Sequence, residues 1–127
     1  MAVVIRFTTD YFDVSREREN PINPIPGESL LLWLRERIGT THAMTPPDAE
    51  DWGWYSVLEW EAREYLIGAS AEEGKDGRYE WILQVDKIRS VGEKLLGREK
   101  MASDDPCAAC LKGLLAAEPA FHDLTLD

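Results

Sequence analysis

A chain of 127 residues fits one folded domain, and its 44% apolar and 30% charged residues suit a soluble protein with a real core. With 24 acidic against 14 basic side chains, the net charge of −10 repels nucleic acid and anionic lipid, so direct binding to either is not expected. No run approaches the roughly 18 apolar residues of a membrane helix. Residues 2–5 are too short for a signal-peptide core and run into Arg6, so the expected location is the cytoplasm.

Taken in chain order, residues 2–8 predict a strand, with Val3, Val4, Ile5 and Phe7 buried on at least one face. Residues 11–19 are polar and without a clear period. Pro21, Pro24 and Pro26 then make residues 20–27 an extended, semi-rigid connector, because proline fixes its own φ and disfavours helix in the residue before it. A helix is predicted over 28–38, with Leu30, Trp33, Leu34 and Ile38 at helical spacing, Glu28 near its start and Gly39 as its stop. Residues 40–51 read as loop, broken firmly by Pro46-Pro47.

Strand alternation over 52–61 places Trp52, Trp54, Leu58 and Trp60 on one face and Tyr55, Val57, Glu59 and Glu61 on the other. A reversal at Ala62-Arg63 lacks the glycine or asparagine such turns favour. Residues 64–70 alternate Tyr65, Ile67 and Ala69 against Glu64, Leu66 and Gly68, and residues 72–77, with Gly74 and Gly77 around Lys75-Asp76, mark the next turn. Tyr79, Trp81, Leu83 and Val85 form one face of a third strand. Connections this short imply an antiparallel meander. Residues 90–98 hold a short helix weakened by Gly92 and closed by Gly97. Asp105-Pro106 starts another, with a stripe of Cys107, Cys110, Leu111, Leu114, Leu115 and Glu118, and residues 122–126 predict a last strand. The expected fold is α+β: an antiparallel meander sheet with an N-terminal strand and two to three helices packed on one face, in a single domain over residues 1–127.

No catalytic constellation stands out. Cys107 and Cys110 lack the βαβ context of redox dithiols and a second ligand pair for zinc, and they share a helical face with leucines, so packing explains them. His42 and His122 have no spacing relation to a nucleophile, and the glycines at 74 and 77 sit in an acidic hairpin that would repel phosphate. No metal or cofactor is expected. Charge is distributed unevenly: residues 48–80 carry ten acids against three bases, whereas residues 87–100 carry five bases against two acids. Four of the five tryptophans fall between residues 52 and 81, amid those acids.

Gly27, Leu30, Trp33-Leu34, Arg37, Pro47, Asp51-Trp52-Gly53-Trp54, Glu80-Trp81 and Val85 form a pattern over roughly residues 26–119. It resembles a family of small, single-domain, functionally uncharacterised bacterial proteins, and that resemblance implies no catalytic residues; Ala62 departs from it where a glycine turn is usual. The expected function is an acidic protein-interaction module, of inhibitor or immunity type, that captures a basic protein partner. Asp51, Trp52, Tyr55, Glu59, Glu61, Glu64, Glu72, Glu73 and Asp76 are the expected contacts: carboxylates steer encounter, and an exposed aromatic supplies the desolvated anchor. The alternative is a small-molecule-binding or hydrolytic domain in which carboxylates and indoles line a pocket. A fainter option is mimicry of nucleic acid by the carboxylates. The oligomeric state is open, a homodimer included.

Overall fold

The computed structural model describes residues 2–74 and 76–127, and Lys75 of the expected 72–77 turn lies outside them. The described residues form six strands: β1 (Val3–Thr9), β2 (Asp48–Glu50), β3 (Gly53–Trp60), β4 (Arg63–Glu73), β5 (Tyr79–Lys87) and β6 (His122–Leu126). They make one antiparallel sheet in the order β2-β3-β4-β5-β1-β6. The predicted meander is β3–β4–β5. The N-terminal strand is inserted between β5 and the C-terminal strand. Helix α1 (Glu28–Ile38) and helix α3 (Pro106–Ala116) cover one face, and a short helix α2 (Val91–Leu95) stands out beyond β5.

Period-2 alternation explains the covered face. Ile5, Phe7, Trp54, Leu58, Tyr65, Ile67, Ala69, Trp81, Leu83 and Val85 all point inward and are buried. Leu30, Leu31, Leu34 and Ile38 of α1 and Cys107, Leu111 and Leu115 of α3 close over them. Each fully buried leucine contributes about 1.5–3 kcal/mol relative to exposure. Phe121 seals one corner, stacked on Phe7 with ring centroids 4.5 Å apart and touching Trp33 at 5.0 Å.

Four expectations are corrected by the register. Residues 40–51 are not all loop: Met44 bridges to Leu58, and β2 pairs with the start of β3, so this stretch runs along the sheet edge on either side of Pro46-Pro47. The first hairpin turns on Glu61-Ala62 rather than Ala62-Arg63, because Trp60 pairs with Arg63. Glu61 therefore leaves the strand and does not stand on the Glu59 side. Trp52 sits in the β2–β3 turn and crosses to the face opposite Trp54 and Leu58.

The proline connector is tied down rather than merely extended. Gly27 runs so close to β4 that a side chain there would meet the Ala69 carbonyl, and the Ala71 N–H donates to the Pro26 carbonyl at 3.0 Å. The Trp54 indole donates to the Ile25 carbonyl at 3.2 Å. Glu17 caps the start of α1 by accepting from the Gly27 and Ser29 N–H groups at 3.0 and 2.8 Å, and buried Glu28 is paired with Arg18.

Candidate interaction surface

The sheet face away from α1 and α3 carries three of the expected acids, Glu59, Glu64 and Glu72, and the register gives its layout. Tyr55, Val57 and Glu59 of β3 stand opposite Gly68, Leu66 and Glu64 of β4. Next come Gln84, Asp86, Ile82 and Glu80 of β5, opposite Gly68, Leu66, Ser70 and Glu72 respectively. Val4, Arg6 and Thr8 of β1 follow. Val4, Tyr55, Val57, Leu66 and Ile82 are each half-buried, which marks a face with an apolar middle and no layer on top. Asp48 and Glu50, opposite Tyr55 and Gly53, extend its acidic rim along β2.

Trp52 lies on this face. Its six-membered ring rests on Gly68, where an added methyl would come within 2.6 Å of it. Glycine at 68 is therefore what lets the indole lie against the sheet. The turn carrying Trp52 is clamped from below by the connector. The Asn20 amide nitrogen donates to the carbonyls of Glu50 and Gly53 at 3.0 and 2.9 Å, while its oxygen accepts from the N–H groups of Ile22 and Asn23. Asn23 donates in turn to the Asp51 carbonyl at 2.9 Å. Beside the indole, Ile25, Ser70, Ala71, Glu72 and Ile82 complete an open hollow of about 240 Å³.

The carboxylates divide by position. Glu59, Glu64 and Glu72 are on the open face; Asp51, Glu61 and Asp76 are in turns, and Glu73 ends β4 on the other side of the strand. Asp51 and Glu61 lie beyond opposite ends of β3. Glu80, Asp48 and Glu50 belong to the face although the sequence pattern does not single them out, because only the pairing register reveals which turn-flanking acids share a side. Two cross-strand pairs are like-charged: Glu72 with Glu80, and Glu59 with Glu64. Arg6 relieves the first, 3.6 Å from Glu80 while its Nε donates to Asp127 at 2.9 Å, and these acids raise the Arg6 pKa. Among the described residues no ion pair relieves Glu59–Glu64, which flank a hollow of about 190 Å³ floored by Val57.

Other polar groups read as structure. Asp105 caps α3 by accepting from Cys107 and Ala108 N–H groups at 2.8 and 3.2 Å, accepts from the Tyr65 hydroxyl at 2.9 Å, and lies 3.6 Å from Lys87. Burial, and then that hydrogen bond, raise the Tyr65 pKa. Burial, reinforced by the Asp105 charge, pushes Cys107 up to about 12, and burial raises Cys110, so neither thiol is an activated nucleophile near neutral pH. A larger hollow of about 680 Å³ lies at the end of α1 between Leu32, Arg35 and His42, but Arg35 is committed to the Met44 carbonyl at 2.8 Å and His42 stacks on Trp60 at 4.2 Å. Among the described residues no group of three His, Cys, Asp or Glu side chains could hold a metal ion, and no helix is long and apolar enough to cross a membrane. No protein-family model, curated protein or solved structure matches this chain, so the functional reading rests on geometry.

Proposed function

We propose that the chain is a protein-interaction module whose open sheet face captures a basic partner surface, in the manner of an inhibitor or immunity protein that occludes what it binds. The observation that carries this reading is the Glu59–Glu64 pair, two acidic residues directly opposite each other at the rim of an apolar strip, with no ion pair to either among the described residues. A lysine or arginine of a partner seated there relieves their repulsion while its aliphatic neighbours cover Val57, Leu66 and Tyr55. Trp52, pinned over Gly68, is the aromatic anchor at the other end of the strip. The remaining acids act at longer range, speeding encounter and setting orientation. A carboxylate–indole catalytic pocket draws less support, since Asp51, Glu59 and Glu61 do not converge on one cavity.

The reading is tested by fluorescence anisotropy with labelled Lys/Arg-rich peptides that carry leucine or tyrosine anchors. Binding is expected to weaken steeply between about 0.05 and about 0.5 M salt, because exposed charges act over only about 8–10 Å at physiological ionic strength. Glu59→Gln with Glu64→Gln is expected to weaken it at least about tenfold, and Trp52→Ala comparably. Removing the like-charged pair should also raise stability by about 0.5 kcal/mol. Salt-insensitive binding, or equal binding by the double variant, would overturn the assignment.

A further inference from the structure

The molecule carries a second unpartnered surface with the opposite charge. Residues 88–100 leave the sheet at the end of β5 and fold back on it by their polar side. Arg63 donates to the Ile88 carbonyl at 3.1 Å and grips the Glu93 carboxylate at 2.7 and 3.1 Å. Ser90 and Glu93 cap α2 reciprocally, Lys87 pairs with Glu99 at 3.4 Å, and Arg89 donates to the Arg98 carbonyl at 3.3 Å. Held in this way, the segment turns its apolar residues to solvent: Val91 is 75%, Leu95 81% and Leu96 68% exposed. Val91 and Leu95, four apart, share one side of α2. Lys94, Arg98 and Lys100 of the same segment are also exposed. Three bare aliphatic side chains in a short basic segment mark a surface open to a partner.

We infer that this arm docks on the acidic sheet face of a second copy of the chain, with Val91, Leu95 and Leu96 covering the strip of Val57, Leu66 and Tyr55 and with Lys94 and Arg98 meeting Glu59 and Glu64. This rests on the reading of that face as a capture surface and names one occupant for it. Three features favour a second copy. The two surfaces are complementary in charge and each has an apolar centre. The arm's own fastening faces its apolar side away from the molecule that bears it. The root of the arm also adjoins the face, since Leu66, Asp86, Ile88, Arg89 and Lys94 line one hollow of about 240 Å³. Two copies related by a two-fold axis near that hollow exchange arms reciprocally and close a dimer. An anionic membrane is the less suitable occupant: the arm's root adjoins the open face beside Asp86, so a membrane drawn to the arm would bring that acidic face against like charge, whereas a second copy offers carboxylates only where the arm's cations meet them.

Sedimentation velocity from about 5 to 200 μM in 0.15 M salt, where charges beyond about 8 Å are screened, reads the association directly. The intact chain is expected to dimerise with rising concentration. Val91→Asp with Leu95→Asp, at exposed positions that leave the thermal melt unchanged, is expected to weaken association at least about tenfold. Lys94→Glu with Arg98→Glu, and separately Glu59→Lys with Glu64→Lys, should each weaken it, while mixing these two reversed chains should restore a hetero-pair. A monomer throughout the range, association indifferent to the arm substitutions, no restoration on mixing, or binding of the arm to anionic phosphatidylserine vesicles without self-association would each overturn the inference. The basic-peptide titration, repeated on the Val91→Asp/Leu95→Asp chain, separates the two readings. Peptide binding by a chain whose wild type never dimerises removes the second copy but keeps the capture face; no peptide binding by a freed face removes the face itself.

Discussion

Asn20 shows how one buried amide can hold a functional turn in place. Both its amide hydrogens and both oxygen lone pairs are used, on carbonyls and N–H groups from two separate stretches of chain. Asn20→Ala leaves the carbonyls of Glu50 and Gly53 without that donor, so it should cost about 2–4 kcal/mol in urea denaturation. It should also shift Trp52 emission, since the clamp holds the turn that carries the indole. Asn23→Ala breaks one exposed bond and should cost under about 1 kcal/mol. In the sequence, Asn20 and Asn23 are ordinary residues of a proline connector. Nothing local reveals that they reach some 30 positions along the chain to Glu50, Asp51 and Gly53. Alternation misplaces Trp52 for a related reason: the residue lies just ahead of the strand, in a turn where the period of two no longer governs direction.

Among the elements, the β3–β4 hairpin carries a local conflict at which the sequence already hints. Its two turn residues, Glu61 and Ala62, have φ of 50° and 61°, the left-handed region that two-residue hairpins require and that side chains resist. Glu61→Asn with Ala62→Gly supplies the residues such turns prefer and should raise stability by about 1 kcal/mol, read as a higher urea midpoint. The arm offers a pH test. Hydrogen bonds from Arg63, then from the Ser90 N–H, hold the Glu93 pKa down to about 2, below its ordinary 4.5. A carboxylate depressed on folding stabilises above its unfolded value and loses that contribution as pH falls through its folded one. The arm's anchorage should therefore weaken between pH 4.5 and about 2. Protection factors of the α2 amides, each referred to the intrinsic exchange rate at the same pH, should fall over this window in the wild type, and a Glu93→Gln chain should show a flatter response there. Both helical starts of this region are legible from Ser90/Glu93 and Asp105-Pro106, because caps are local signals. The exposure of Val91 and Leu95 is not, since a five-residue helix carries too short a period to show which side meets the body.

For the whole molecule, strand periodicity and short turns disclose the covered core and the meander, which depend on neighbours in sequence. The open face is only half legible. Glu59 and Glu64 can be assigned to it from alternation, whereas Glu72, expected in the 72–77 turn, joins it because β4 runs on to Glu73; the facing of Glu59 with Glu64 and of Glu72 with Glu80 depends on register across strands. So does the pairing of Val57 with Leu66 beside Tyr55 that makes the apolar strip. The position of β1 is likewise hidden: its own residues predict a strand and say nothing about which partners it joins.

That position has a consequence for the order of assembly. The β3–β4–β5 meander closes through short turns and can form as each strand leaves the one before it. Strand β1, although first in the chain, pairs Thr9 with Tyr79 and Ile5 with Leu126, so it stays unpaired until most of the sequence is available. Closing so wide a loop is entropically slow, and the side of β5 that receives it offers a bare row of hydrogen-bonding groups in the meantime. The strand that ends up sandwiched between two others is thus among the last to arrive, and it is there, rather than at the acidic face, that a growing chain is most open to pairing with the wrong neighbour.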